Sequence, residues 1–213
     1  MLIDELLLRN SIRLGENNPI LRFYRFDVPT VTVGYGMWRK QFYSTDCLLP
    51  LVRRPTGGGV VQHGRDLIYA LVVPLRLLKP LGRVCESYRL LHLALQEALA
   101  QFRVATQLFN GPCAQLSSPY CFDSPVLFDV MIGRRKIAGA GQKRTRDYLL
   151  QQGSIAWNIL KEVSPNLSEE NFQRGFARQL VQRFGISIKE IPFSDEETEE
   201  ILVLCDGYAR KSA

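Results

Sequence analysis

Three consecutive glycines, Gly57, Gly58 and Gly59, interrupt the strand-like segment LVRRPTGGGVVQH (51–63). Glycine loses the most backbone freedom on folding and offers no side chain to pack, so three in a row weaken any sheet they enter. A fold that keeps them makes use of a backbone free of Cβ atoms. A ligand can lie directly against such a chain, and its amide N–H groups can reach a carboxyl, carbonyl or phosphate oxygen. A glycine bulge in a hairpin would account for one of the three, but less readily for all of them behind the pair Arg53-Arg54. No Gly-Lys-Ser/Thr follows, so the loop is not a P-loop.

The periodicity around this loop alternates irregularly between helix and strand. Residues 2–14 carry Leu2, Ile3, Leu6, Leu7 and Ile12 on one side of a helix. Segments 20–26, 30–36, 51–61, 66–75 and 149–159 are rich in β-branched and aromatic residues and read as strands, and Pro74 stops the fourth. Segment 125–144 reads as a hairpin turning at Gly133. The clearest helix is 82–101, where Val84, Tyr88, Leu91, Leu95 and Leu99 recur at helical spacing. Two more, near 168–184 and 194–209, open with Ser168 and Ser194 ahead of acidic first turns. Without regular βαβ alternation, the class is α+β.

With 213 residues and 46% apolar content, one domain can bury a full core. The apolar opening is broken by Asp4 and Glu5, and nothing reaches spanning length. The expectation is a soluble, cytoplasmic protein with no membrane partner. Five scattered cysteines (Cys47, Cys85, Cys113, Cys121, Cys205) and two histidines (His63, His92) make no metal-ligand spacing, so no metal is expected. In a reducing compartment most of these thiols should be small buried hydrophobes. Of the 27 basic and 21 acidic residues, 2 and 7 fall in 190–213, leaving residues 1–189 with 25 against 14, a net +11. Most such surfaces are merely solvated; the sharper reading is attraction of an anionic partner. No nucleic-acid-binding motif is present, so an acidic protein or phosphorylated carrier fits better than nucleic acid.

Two further segments could carry chemistry. In Lys136-Ile137-Ala138-Gly139-Ala140-Gly141 the tiny residues let the ammonium lie in a crevice, where it could hydrogen-bond a carbonyl oxygen as charge develops on it. An exposed turn lysine beside Arg134 and Arg135 is the plainer alternative. Cys121 sits in the loop-like Ser-Ser-Pro-Tyr-Cys-Phe-Asp-Ser-Pro, unlike Cys205 among Leu202, Val203 and Leu204. A cation that stabilises the thiolate would make it a nucleophile, and Arg135 and Lys136 stand across the expected hairpin. Taken alone, the cysteine reads more readily as structural than as catalytic.

Together these segments resemble the lipoate-protein ligase and octanoyltransferase family of biotin/lipoate attachment domains. RRPTGGGVVQH (53–63) is similar to the family's arginine–glycine–histidine signature, and GRRKIAGAGQKRTRDYLLQQGSI (133–155) to its lysine motif and following strand. The match runs in order over nearly the whole chain, including the opening helix, VTVGYG (31–36) and the closing helices. The resemblance implies a single α+β catalytic domain over 1–213, with mixed β-sheets flanked by helices and no C-terminal accessory domain. It implies an eight-carbon acyl tunnel beside the glycines, for which Val60, Val61, Leu71 and Val73 are candidate walls. Substrate-binding roles fall on Arg54, Gly57, Gly58, Gly59, His63, Gly139 and Ala140, and Lys136 should contact the acyl carbonyl.

In the branch that acts without ATP, the nucleophile lies in a Cys-Phe-Asp-x-Pro segment fifteen residues before the lysine. Cys121-Phe122-Asp123-Ser124-Pro125 and Lys136 reproduce both motif and spacing. The implied reaction moves an octanoyl or lipoyl group from an acyl-carrier protein thioester, through Cys121, to a lysine of a lipoyl-domain or glycine-cleavage H-type protein, with no cofactor. The alternative is an ATP-dependent lipoate-protein ligase in which Asp129 helps hold nucleotide and magnesium, with a separate accessory subunit. Biotin attachment and a binding module without chemistry rank lower. Two departures stand out: Gly64 follows His63 where the family usually has Asp, and the edge strand that commonly precedes the first helix is missing. With no acidic neighbour evident, His63 reads as a lining residue rather than a general base.

The charge asymmetry makes a prediction for this reading. Below saturation, transfer from an acidic carrier should slow as salt rises, because exposed charges are screened over a Debye length of about 8 Å at physiological ionic strength. Initial rates across a sodium chloride series measure it; a salt-independent rate would remove the basic surface from partner encounter.

Overall fold

The computed structural model describes residues 1–15, 17–40, 48–78, 84–112 and 120–186, together with 195, 198 and 199. All of the expected closing helix over 194–209 but those three positions lies outside them, as do Cys47, Cys113 and Cys205. The chain runs α1 (Leu2–Leu14), β1 (Ile20–Tyr24), β2 (Thr30–Val33), α2 (Tyr35–Lys40), β3 (Leu51–Arg53), β4 (Val60–His63) and β5 (Leu67–Pro74). After a 3₁₀ turn (Leu75–Leu78) come α3 (Val84–Ala100), β6 (Gln107–Leu108), β7 (Val130–Ile132), β8 (Arg135–Arg144), β9 (Tyr148–Ile155), α4 (Trp157–Val163) and α5 (Glu169–Phe184).

A six-stranded sheet in the order β1-β5-β9-β8-β7-β6 is antiparallel throughout. A smaller sheet, β3-β2-β4, pairs β2 parallel to β3 and antiparallel to β4. Strand β5 is apolar without alternation because both of its faces are covered. Leu67, Tyr69, Leu71 and Val73 point into the core against Leu91, Leu95 and Leu99 of α3 and Phe172 and Phe176 of α5. Ala70 and Val72 point the other way, onto Leu7 and Leu8 of α1. The pleat therefore assigns Leu71 and Val73, two of the expected tunnel walls, to the helical core.

Several boundaries moved for local reasons. The strand expected over 30–36 stops at Val33, and α2 starts at Tyr35. The strand expected to 159 ends at Ile155, where Trp157 and Leu160 turn inward on a helix. Ile12 and Val84, expected on apolar faces, are exposed, and so is Cys85, one of five thiols most of which were expected to be buried. Other local signals held. Gly133 turns the β7–β8 hairpin at φ 57°, Ser168 Oγ caps α5 by accepting from Asn171 N at 3.0 Å, and Gly185 closes it in the left-handed conformation. Among the described residues no helix is long and apolar enough to cross a membrane.

Tyr69 lies directly opposite Gly153, and a Cβ on Gly153 would fall 2.1 Å from the buried ring. Gly153→Ala should destabilise the protein by about 1–3 kcal/mol through overpacking. Combining it with Tyr69→Val should recover part of that loss in a urea-denaturation double-mutant cycle.

Candidate active site

The two sheets meet at the glycine loop. Gly57 N donates to Gln142 O of β8 at 3.2 Å, and Gly34 N, just past β2, donates to Gly59 O at 3.1 Å. A Cβ on Gly141 would lie 2.4 Å from Gly57 O, and one on Gly34 only 2.0 Å from Gly58 O. Gly58 itself has φ 99°, which L side chains rarely adopt. Thr56 Oγ1 donates to Gln152 Oε1 at 2.8 Å, and Gln152 Nε2 donates to the buried Asp4 carboxylate at 2.6 Å, so β9 and α1 hold the loop from behind.

Cys121 comes to this loop from the far side. Its amide donates to Val60 O at 2.8 Å, and its sulfur accepts from Gly59 N–H at 3.1 Å. Lys136, on β8, donates to Cys121 O at 2.7 Å and pairs with Asp129 Oδ2 at 2.7 Å. That crevice depends on Gly139, where a Cβ would stand 2.6 Å from Lys136 Cε and 2.7 Å from Nζ. Asp129 is fully buried and also accepts from Tyr88 Oη at 2.6 Å and Val126 N at 2.7 Å. Burial, and then the Asp129 charge, push the Tyr88 hydroxyl well above its ordinary pKa, so it stays a donor. Ala140 N donates to Tyr88 Oη at 3.0 Å.

Arg54 supplies a second cation. It is only 6% exposed, and Nη1 donates to Thr32 O at 3.0 Å and Thr32 Oγ1 at 2.6 Å. Nη2 donates to Gly59 O at 2.8 Å and, more weakly, to Gly57 O at 3.4 Å. A Cβ on Gly58 would meet Nη2 at 3.2 Å and Cys121 Sγ at 4.0 Å, so guanidinium and thiol face one another across the missing side chain. Burial pushes the Arg54 pKa down from its ordinary value, and the neighbouring Cys121 opposes that shift. Among the described residues the hydrogen bonds of this buried cation end on carbonyl and hydroxyl oxygens, none on a carboxylate.

His63 does have an acidic neighbour, which corrects the expectation that none was present. Its Nδ1 pairs with Asp66 Oδ2 at 2.6 Å, three residues on across the turn at Gly64, and its Nε2 meets Thr32 Oγ1 at 2.7 Å. Asp66 also accepts from Ser154 Oγ at 2.6 Å and Gly64 N at 3.1 Å. Burial alone would raise its carboxyl, but the His63, Ser154 and Gly64 contacts outweigh it and hold the pKa below the ordinary value. The sequence signal for it is Asp66, an acid three positions after the histidine rather than directly after it. The other histidine, His92, is buried against Phe128 O, and burial pushes it down to about 4.

Cys121, Lys136, Arg54, the three glycines, Gly139 and Ala140 thus converge on one place, with His63 one residue removed behind Thr32. Asp129 belongs to Lys136, with Tyr88 and the Val126 amide on its other contacts. Arg135, one of the two cations considered for the thiol, points away to Glu162 at the surface. An open cavity of about 360 Å³ beside Cys121 is lined by Val60, Val61, Gln62, Tyr120, Phe122 and Asp123. Two of the four proposed tunnel walls line it.

Residues 1–185 match the model of the lipoyl protein ligase A/B catalytic domain. An octanoyltransferase LipM from Carboxydothermus hydrogenoformans is 35% identical over 98% of this chain and 81% of its own length. One from Staphylococcus aureus is 33% identical over 98% of this chain and 90% of its own. Among solved structures, lipoate-protein ligase A bound with ATP superposes with a TM-score of 0.68 at 19% identity, covering 97% of this chain and 90% of that one. A bipartite lipoate protein ligase from Thermoplasma acidophilum, studied with its E2 lipoyl domain, gives 0.63 at 19% identity over 96% and 87%. At such identities the structural likeness speaks for the fold.

Asp129→Asn should leave a buried ammonium without its counter-ion, at a cost of about 3–5 kcal/mol. Urea denaturation measures this. Adding Lys136→Met should return much of the stability, since the charge that lost its partner is then gone too.

Proposed function

The chain belongs to the lipoyl protein ligase A/B catalytic domain family, and from that premise we propose that it is an octanoyltransferase of protein lipoylation whose nucleophile is Cys121. The relatives at 31–35% identity over 81–90% of their own lengths are octanoyltransferases, and the enzyme is read as the same. The observation that carries the nucleophile is the Cys121 sulfur held 3.1 Å from the Gly59 amide, with the Arg54 cation facing it across Gly58. A thiol attacks as its thiolate, and these contacts hold the sulfur in one place for that attack.

The thiolate adds to the carbonyl carbon of an octanoyl thioester on a carrier protein. The carrier's sulfur leaves with the electron pair, and the octanoyl group remains on Cys121. The neutral ε-amine of a lysine on a lipoyl-type domain then attacks; the amide forms, the Cys121 sulfur departs, and the amine's proton ends on a thiol. Lys136 has three N–H donors, of which, among the described residues, Asp129 and Cys121 O take two. The third serves the acyl oxygen as charge develops on it. The acyl tail lies in the cavity lined by Val60, Val61, Tyr120 and Phe122, whose volume falls within the usual range for small-ligand sites. At about 0.8 kcal/mol per buried methylene, an octanoyl chain gains about 5 kcal/mol there, which discriminates against shorter acyl groups.

The thioester supplies the activation, so neither ATP nor magnesium takes part. Asp129, occupied by Lys136, Tyr88 and Val126, acts as counter-ion to the lysine rather than as a magnesium ligand. His63 does not act as base, because its Nε2 is taken by Thr32 and its Nδ1 by Asp66.

Incubation with an octanoyl-carrier protein and a lipoyl domain, followed by intact-protein mass spectrometry, tests the mechanism. One hydroxylamine-labile octanoyl group should appear on the enzyme, vanish in Cys121→Ala and survive replacement of Cys85. Lys136→Ala should reduce turnover about 10²–10³-fold, the range for losing one oxyanion donor. Lys136→Arg should not restore it, because a planar guanidinium does not fit the crevice made by Gly139. ATP-dependent loading of free octanoate that survives Cys121→Ala would establish ligase chemistry instead.

A further inference from the structure

We propose that Asp66, acting through His63 and Thr32, positions the Arg54 guanidinium against the Cys121 sulfur, so that all three are positioning residues for acyl transfer. The inference rests on the reading of Cys121 as nucleophile.

Donors and acceptors alternate along an unbroken buried path. A guanidinium has only donors, so Thr32 Oγ1 must accept from Arg54 Nη1, at 2.6 Å. The threonine's own proton can then go to His63 Nε2 at 2.7 Å, in the tautomer that carries the ring proton on Nδ1 and donates it to Asp66 at 2.6 Å. In that tautomer each link has one sense, from the cation at one end to the carboxylate at the other. Asp66 is anchored in turn by Ser154 Oγ, on β9, and by the Gly64 amide. The path therefore ties Arg54, at the junction of the sheets, to the central strands of the larger one.

This arrangement gives buried groups a task that the transfer steps do not. Asp66 and His63 touch neither the sulfur nor the cavity, yet both nitrogens of the imidazole are engaged, one by Asp66 and the other by Thr32. Arg54 needs such support because its guanidinium is a rigid planar fork. With Nη1 held by Thr32, Nη2 is aimed at Gly59 O, beside the amide that donates to Cys121 Sγ. Loss of the threonine hydroxyl would leave Nη1 its bond to Thr32 O but would free the fork to tilt away from the sulfur.

The test uses the full chain and two readouts. One is the rate of iodoacetamide alkylation at Cys121, relative to the exposed Cys85, at neutral pH and without substrate. The other is kcat and KM for octanoyl transfer, with thermal unfolding measured alongside. Thr32→Val keeps volume and branching but removes the hydroxyl, stranding a buried Arg54 donor and a buried His63 nitrogen; Thr32→Ser keeps the hydroxyl and loses only a buried methyl. The expected result is a fall of about tenfold in Cys121 alkylation and in kcat for Thr32→Val, the lower end of what orienting partners contribute at metal sites. KM should change little, and Thr32→Ser should recover both rates. Asp66→Asn should lower alkylation in the same direction. Alkylation unchanged or raised in Thr32→Val and Asp66→Asn, as a merely loosened fold would make it, or the same loss of kcat in Thr32→Ser as in Thr32→Val, would overturn the proposal. Should Thr32→Val fail to fold, Asp66→Asn decides by the same ratio. Transfer that persists in Cys121→Ala would instead defeat the nucleophile reading, while the alkylation ratio would still report where Arg54 points.

Discussion

Backbone meets backbone where the two sheets join, and the rest of the site depends on that approach. Gly34 and Gly141 flank a loop whose carbonyl oxygens stand 2.0 and 2.4 Å from where their Cβ atoms would be. Any side chain at either position would push the loop off β8 or off the end of β2. With it would move the Gly59 amide that donates to Cys121 and the carbonyls that hold Arg54. The conformational cost of the glycines is thus offset by contacts that no other residue permits.

Two cations share the neighbourhood of one thiol, and they are supported differently. Lys136 has a fully buried carboxylate for a partner, itself held by a tyrosine and a backbone amide, so its charge is balanced before any substrate arrives. Among the described residues Arg54 has carbonyl and hydroxyl acceptors instead, and burial works against its charge. A buried cation without a carboxylate is costly. The lysine thus has its counter-ion within the fold, whereas the arginine faces the Cys121 sulfur across Gly58.

The large sheet does the positioning. Strand β8 presents Lys136, Gly139 and Gly141, β9 presents Gln152 and Ser154, and both are sealed by helices packed on Phe172, Phe176, Leu91 and Leu95. Gln152 reaches the glycine loop through Thr56, and Ser154 reaches Asp66. Neighbouring residues on one strand point to opposite faces, yet residues two apart on β9 share one, so a single strand braces the loop and the His63 turn together.

The sequence by itself determined the class of fold and the chemistry available to it. Three glycines behind an arginine pair, a lysine followed by tiny residues, and a cysteine fifteen positions earlier restrict what the chain can build, because each is a local demand on backbone freedom or crevice width. Helix α3 and the hairpin at Gly133 were legible for the same reason: periodicity and turn chemistry are properties of adjacent residues. Leu71 and Val73 went astray as tunnel walls because which face of a strand meets helix or cavity is settled by what packs on it. Only the tertiary structure decided that Arg54 rather than Arg135 faces the thiol, that Asp129 answers Lys136, and that Asp66 completes His63. Those pairings depend on how two sheets cross at a glycine loop, and no spacing along the chain records the angle at which they meet.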